Sequence, residues 1–426
     1  MRPLQRTISS GADYIGINDD RFKTARLSVA FLLPLSQQTA SANAILPFLL
    51  RRSSAEYPSF AALQRRLNQL YGARISGDVS RIGNWQAMVL TAVSIDDRFA
   101  LHGEKVTLQC AELLGSMIFE PVMKNGGFLP SDTEQEKRCL IELIQSEINE
   151  KRLYARHRCE QVLCEGQGYS VNRYGTIDRV AALTSDAAAE AWRSMLRSAH
   201  IRVIYHGAGG DELTVDEFSK GIASVSGRIP IGSEKKTSWD PQHDVREVIE
   251  RMDVNQSKLV MGFRPVGTTA DDTPSLRLLN ALLGGTPHSL LFKNVRERLS
   301  LCYYCSSSYD RLGNVLLVDS GVEEKNASRA RDEVLKQLDN ICRGVFSEEE
   351  LESARRSIVN QFQTISDQQS SLSYWYLGQS LDTKTVTPEK AAEEAGSVTR
   401  EQVIEAARRV KLGAVYLLAG EEGGNG

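Results

Sequence analysis

The chain has no segment that could cross a bilayer as a helix. Its longest apolar runs, such as Ser28–Leu35, Ala42–Leu50 and Leu412–Ala419, are of strand length, well short of the roughly 18 residues a spanning helix needs. No charge of one sign dominates: the formal net charge at pH 7 is −3. A nucleic-acid binder normally carries a basic excess or patch, so this balance argues against that class. The first residues, Met1-Arg-Pro-Leu-Gln-Arg6, lack the apolar core of a secretory signal, and a cytoplasmic protein is expected. Cysteine is sparse and odd in number, with seven: Cys110, Cys139, Cys159, Cys164, Cys302, Cys305 and Cys342. Such a set reads as reduced thiols rather than a disulfide framework.

What is present is ordinary for a globular chain: 426 residues, 41% hydrophobic and 25% charged. That length is too great for one core, so two or more domains are expected. Phe22–Leu35 reads as a strand. Phe60, Leu63, Leu67 and Leu70 recur at helical spacing between Pro58 and Gly72, with the glycine as the stop. Arg74–Arg81 and Trp85–Ser94 alternate like paired strands around Ile82-Gly-Asn84. Helices follow over Glu104–Met117 and from Pro130, the second a long one with Leu140, Ile141, Ile144 and Ile148 on its buried face. A helix over Ala181–Ala199, capped at Thr184 or Ser185, leads into a strand over Ile201–His206. Between Val225 and Gln242 the chain becomes polar and rich in Gly and Pro, as a linker does.

The later half repeats this order. A strand over Lys258–Val266 is followed by helices over Thr273–Leu283 and Pro287–Arg298, then by strands Tyr303–Tyr309 and Asn314–Val322. Helices Ala327–Cys342, Ser347–Gln363 and Thr399–Val410 precede a last strand, Ala414–Gly420. Arg81-Ile-Gly-Asn84 and Arg311-Leu-Gly-Asn314 stand 230 positions apart, and the same offset pairs Arg66 with Arg296 and Ser76 with Ser306. Matching element order over each half is what a duplication leaves. Helices and strands mix without strict alternation, which predicts an α+β fold of two homologous domains, each a mostly antiparallel sheet packed with helices. The expected boundaries are 1–225 and 246–426, with 226–245 as linker.

Asn43-Ala-Ile-Leu-Pro-Phe-Leu-Leu-Arg-Arg52, after an apolar strand, resembles the zinc-helix region of the pitrilysin/insulinase family of zinc peptidases. In that family His-x-x-Glu-His sets two imidazoles one turn apart on one metal, with the Glu activating the bound water. Here those five positions hold Pro47, Phe48, Leu49, Leu50 and Arg51. Proline has no lone pair to give, leucine takes no proton, and a guanidinium repels zinc. The resemblance therefore implies a catalytically dead relative, with no metal, no cofactor and no catalytic residue. The family's third ligand falls at Glu142 or Leu143, and one carboxylate alone does not hold catalytic zinc. Leu279-Asn-Ala-Leu-Leu-Gly-Gly285, Ser289-Leu-Leu-Phe-Lys-Asn-Val-Arg-Glu-Arg298 and Leu301-Cys-Tyr303 resemble the family's non-catalytic domain. The Arg and Tyr that hold substrate peptide there fall on Arg296 and Tyr303, and a family glycine is replaced by Ser300. The implied architecture is two like domains enclosing a chamber, with peptide along a sheet edge. The run Leu-Pro-Phe-Leu-Leu-Arg-Arg, followed by Tyr-Pro-Ser-Phe, looks like a bacterial subgroup of inactive partners of an active zinc paralogue, a subgroup associated with modification of elongation factor P.

The expected function is thus a non-catalytic partner of an active zinc-peptidase paralogue, binding peptide or an unfolded segment. The alternatives are a displaced metal site on His157 and Glu160, and a stand-alone peptide-binding homodimer. Arg51 and Arg52 read as a surface pair, with an acidic partner or peptide carboxylate as the sharper alternative. His206-Gly-Ala-Gly-Gly210 lacks the Lys-Ser/Thr of a phosphate loop and reads as a strand-ending turn. Cys302-Tyr-Tyr-Cys305 has the spacing of a redox pair, but no cysteine opens a helix. Two structural cysteines are the plainer reading.

Overall fold

The computed structural model describes residues 3–209, 211–232, 244–382 and 385–421. Its contacts gather into two units, neither continuous in sequence. The first comprises the described parts of Met1–Ile144, Val171–Lys235 and Ser366–Thr385. Its sheet is built from β1 (Leu4–Ser9), β2 (Ala12–Asn18), β3 (Thr24–Pro34), β4 (Arg74–Ile82), β5 (Trp85–Ile95) and β6 (His200–Gly207). Their order across the sheet is β1-β2-β6-β3-β5-β4. Only β2 and β6 run parallel; the remaining pairs are antiparallel. Strand β3 lies inside the sheet, and its run from Val29 to Leu33 is wholly buried, as a strand covered on both faces must be. Gly83 has a φ of 59° in the two-residue turn between β4 and β5. That left-handed conformation costs a glycine little.

The second unit comprises the described parts of Gln145–Ser170, Lys236–Ile365 and Val386–Gly426. Its strands are β7 (Arg246–Arg251), β8 (Ser257–Pro265), β9 (Cys302–Asp310), β10 (Val315–Val322) and β11 (Val410–Ala419), in the order β9-β10-β8-β11-β7. Again one pair is parallel, β11 with β7, and the others are antiparallel. With β1 set aside, the two sheets have the same strand order and the same senses. The two Arg-x-Gly-Asn stretches occupy equivalent hairpins, β4–β5 and β9–β10. The fold is α+β, with antiparallel-rich sheets. Of the expected linker 226–245, residues 233–243 lie outside the described residues.

Each sheet is completed by a helix from the other half of the sequence. The predicted long helix from Pro130 is two helices, α1 (Pro130–Asn149) and α2 (Lys151–Leu163). The break falls at Glu150, whose carboxylate accepts from the Leu153 amide at 2.6 Å and so caps the new start. Helix α2 belongs to the second unit. Its Ala155, Cys159 and Leu163, with Cys164 and Tyr169, form one cluster with Val260, Val315, Leu317, Ala414, Tyr416 and Leu418. A β-carbon on Gly262 would come within 3.0 Å of the Leu163 side chain, so glycine there admits the helix onto the sheet. Glu250 then accepts from Tyr154, Arg158 and Tyr416 at 2.6, 3.0 and 2.9 Å. Reciprocally, helix Gln369–Gln379 belongs to the first unit. Gln369 donates to the carbonyls of Thr24 and His206 at 2.8 and 3.0 Å, and Leu372, Tyr376 and Leu377 are buried.

Candidate functional site

The helix region of interest follows β3 as two short turns of helix, Ala40–Ala44 and Leu46–Leu50. Pro47 sits in the first turn of the second, where its missing N–H is not needed. Every residue from Leu46 to Leu50 is buried. Gly77 on β4 explains how the backbone can lie so close: a β-carbon there would stand 2.4 Å from the Pro47 carbonyl oxygen. The five motif positions are thus apolar packing followed by a cation. Arg51 caps the helix with its side chain 39% exposed and its guanidinium 5.4 Å from the Phe48 ring centre.

The carboxylate that meets this helix is Glu136 on α1. It is 3% exposed. Arg52 Nη1 donates to its Oε1 at 2.6 Å, while Arg52 Nη2 reaches Gln135 at 3.1 Å and Asp132 at 3.4 Å. Burial works against the Arg52 charge, but the hydrogen bond to Glu136 and the charges of Asp132 and Glu136 outweigh it and hold the guanidinium above its ordinary range. Glu136 Oε2 is buried without a hydrogen-bond partner, with Arg51 Nη2 at 3.9 Å. An isolated buried carboxylate costs several kcal/mol; here a guanidinium supplies the positive charge. Beside this pair lies a cavity of about 230 Å³. Phe60, Leu63 and Leu67 from the Phe60–Gln69 helix and Ile75 from β4 make its apolar wall, and Arg51 and Glu136 its polar one.

Glu142 and Leu143, the two candidates for a third ligand position, are exposed, and neither lines this cavity. Glu136 was not singled out from sequence. Its signal was a charged residue in register with the buried stripe of α1, which holds Thr133, Glu136, Lys137, Leu140 and Ile144, while Ile141 and Ile148 are only half-buried. His157 and Glu160 lie on α2, within the second unit. Among the described residues no three His, Cys, Asp or Glu side chains gather as a metal-holding group, so the displaced site has no donor set to draw on. His206, next to last in β6, is a buried ring whose Nε2 is 3.2 Å from Asp19 Oδ2.

Arg296 and Tyr303 are both exposed, in the second unit. Arg296 lies in a segment of wide helical turns, Phe292–Arg298, with its guanidinium 4.6 Å from the Phe292 ring centre. Tyr303 is 62% exposed on the edge strand β9. Between them Ser300 has a φ of 49°. That left-handed conformation is one glycine adopts at less cost than serine.

Comparison with known proteins agrees with this geometry. Residues 182–358 match the family described as the peptidase M16 inactive domain. The chain is 28% identical over 411 residues to the probable inactive metalloprotease YmfF of Bacillus subtilis, covering 96% of this chain and 95% of that protein. The crystal structure of a conserved protein from Enterococcus faecalis V583 is similar over the whole of both chains, with a TM-score of 0.89 at 26% identity. The peptidase M16 inactive domain structure from Pseudomonas fluorescens shares the fold, with a TM-score of 0.75 at 14% identity over 99% of this chain and 98% of that one.

Proposed function

We propose that the chain, whose residues 182–358 match the peptidase M16 inactive domain and which is similar over 96% of its length to a probable inactive metalloprotease, is the non-catalytic half of a pair. It associates with a relative that keeps the His-x-x-Glu-His motif, completes that partner's peptide-holding chamber, and contacts peptide through Arg296 and Tyr303. The observation that carries this reading is a retained scaffold around a refilled site. Both sheets keep one strand plan, while the motif positions are buried packing and Arg52 neutralises Glu136. Exposed Arg296 and Tyr303 beside a free sheet edge suit an extended peptide, whose backbone would pair with β9 and whose side chains would meet the arginine and the ring. The halves 1–225 and 246–426 are, on this reading, copies of one ancestral unit. The pair would work in the cytoplasm, where unpaired thiols persist; among the described residues no helix is long and apolar enough to cross a membrane.

Co-expression with a zinc-motif relative from the same genome tests the proposal. A stable heteromeric complex is expected, with peptide hydrolysis by the pair and none by this chain alone. Arg296→Ala and Tyr303→Ala should each raise the KM of the pair about tenfold, the size of effect of losing one good contact, with kcat changed less. A chain that binds one zinc and cleaves peptide unaided would overturn the reading.

A further inference from the structure

We propose that the β9 edge selects extended peptides with carboxylates at alternate positions, Glu-x-Glu in pattern, and that Arg152 and Arg156 read them. The inference rests on the peptide-binding reading above and adds the class of peptide. Helix α2 packs on the interior strands β8, β10 and β11 through Ala155, Cys159 and Leu163. From there Arg152 and Arg156, one helical turn apart, reach outward to the edge strand. Arg152 Nη2 donates to Ser306 Oγ at 2.8 Å, and Arg156 Nη2 to Ser308 Oγ at 2.7 Å. Ser306 and Ser308 share one face of β9 and stand about 6.8 Å apart along it, close to the rise of about 6 Å between helix residues i and i+4. The two guanidiniums therefore line the edge at the spacing of alternate strand residues. Among the described residues β9 is the last strand of its sheet. A strand added there would lie about 4.8 Å farther out, and its side chains on that face would meet both arginines.

The local charge favours an acidic ligand. Arg152 Nε and Arg156 Nη1 donate to the two oxygens of one carboxylate, Asp319, which is 1% exposed. A single buried anion thus fixes two cations and neutralises one of them. Lys258 adds a cation 5.9 Å from the Tyr304 ring centre, and Glu150 at the start of α2 takes one back, so one positive charge is left over at the edge. The donors are not used up either. Arg152 Nη1 and Arg156 Nε make no hydrogen bond within the described residues, and the two side chains are 44% and 25% exposed. The Arg152 guanidinium also lies 4.3 Å from the Tyr304 ring centre, a cation–π contact that helps fix it before any peptide arrives. The other row of β9, Cys305 and Ser307, is buried, so recognition of charge falls to the row beside α2.

The test is titration of the full chain with fluorescent, end-blocked peptides that share one Thr/Val-rich strand sequence. They differ only in carrying Glu-x-Glu, Gln-x-Gln, Lys-x-Lys or Glu-x-x-Glu at the centre. Glu-x-Glu is expected to bind about tenfold tighter than Gln-x-Gln, with Lys-x-Lys weakest and the gap closing as salt rises. Glu-x-x-Glu has the same charge but puts its carboxylates on opposite faces, and it should bind about threefold more weakly than Glu-x-Glu. Arg152→Gln and Arg156→Gln each leave Asp319 one guanidinium. Each should weaken Glu-x-Glu about threefold and leave Gln-x-Gln unchanged. Equal binding of the Glu and Gln peptides, or variants that weaken both alike, would overturn the acidic selectivity while leaving a peptide site at β9 standing. Binding by none of the four would overturn the peptide reading and this inference with it.

Discussion

At the scale of single residues, the site is governed by one buried charge. Arg52→Ala would strip the buried Glu136 carboxylate of its hydrogen-bonded cation, leaving only the longer contact to Arg51 Nη2 at 3.9 Å, a cost of about 3 kcal/mol. The double change Arg52→Met, Glu136→Leu removes the charge and its partner together and should recover most of that loss. Urea unfolding of the three proteins would decide: equal stability of the single and double variants would show that the pair does not matter. Asp19 gives a pH-dependent counterpart. Burial alone would raise its pKa, but hydrogen bonds from the Arg21 side chain and amide and from His206, with the Arg21 charge, bring it down to about 2. A depressed carboxyl contributes stability above its ordinary value of 3.8 and loses it as pH falls toward about 2. Asp19→Asn should therefore cost about 2 kcal/mol near neutrality, and the gap from wild type should close between those pH values. Ser300 points the other way. It pays for a φ of 49°, and Ser300→Gly should raise stability by about 1 kcal/mol, read as a higher melting temperature.

Among the elements, close backbone approach decides more than hydrophobicity. Gly77→Ala would place a β-carbon 2.4 Å from the Pro47 carbonyl oxygen, a contact no backbone tolerates, and overpacking of this kind costs about 1–3 kcal/mol. The expected result is a less stable fold with the motif helix displaced, visible as faster amide exchange over 46–50; unchanged exchange there would refute the packing account. Elements of this sort were readable in part from sequence. Hairpins β4–β5 and β9–β10 announced themselves through alternation and an Arg-x-Gly-Asn turn, and helix Ala327–Cys342 has the predicted bounds. The break at Glu150 was hidden, because both sides of it are helical by periodicity and only the carboxylate's bond to Leu153 ends one helix and starts the next. The role of Glu136 was hidden for a related reason. A glutamate in a helix looks solvated until the cation that covers it, 84 residues upstream, is placed.

Over the whole molecule, the arrangement that sequence order conceals is the exchange of helices. A reader of the chain assigns α2 to the early half and Gln369–Gln379 to the late half, since contacts between distant segments leave no local pattern. Yet the second unit's core includes Cys159, Leu163 and Tyr169, and the first unit holds Leu372, Tyr376 and Leu377. Cutting the chain within 233–243 would give two fragments, each lacking a helix from its sheet. Fully burying one large apolar side chain contributes about 2 kcal/mol, so losing a few such residues removes about 4–6 kcal/mol, comparable to the whole stability of a domain at the low end of the usual range of about 5–15 kcal/mol. Each fragment alone should be insoluble or melt without a cooperative transition. Co-expressed, the two should assemble into a complex that stays together through gel filtration and melts as one. Appending residues 145–170 to the late fragment should rescue it without its partner, because that supplies the missing cluster. A late fragment that unfolds sharply by itself, with no α2, would show that the exchanged helix is decoration on a sheet already stable.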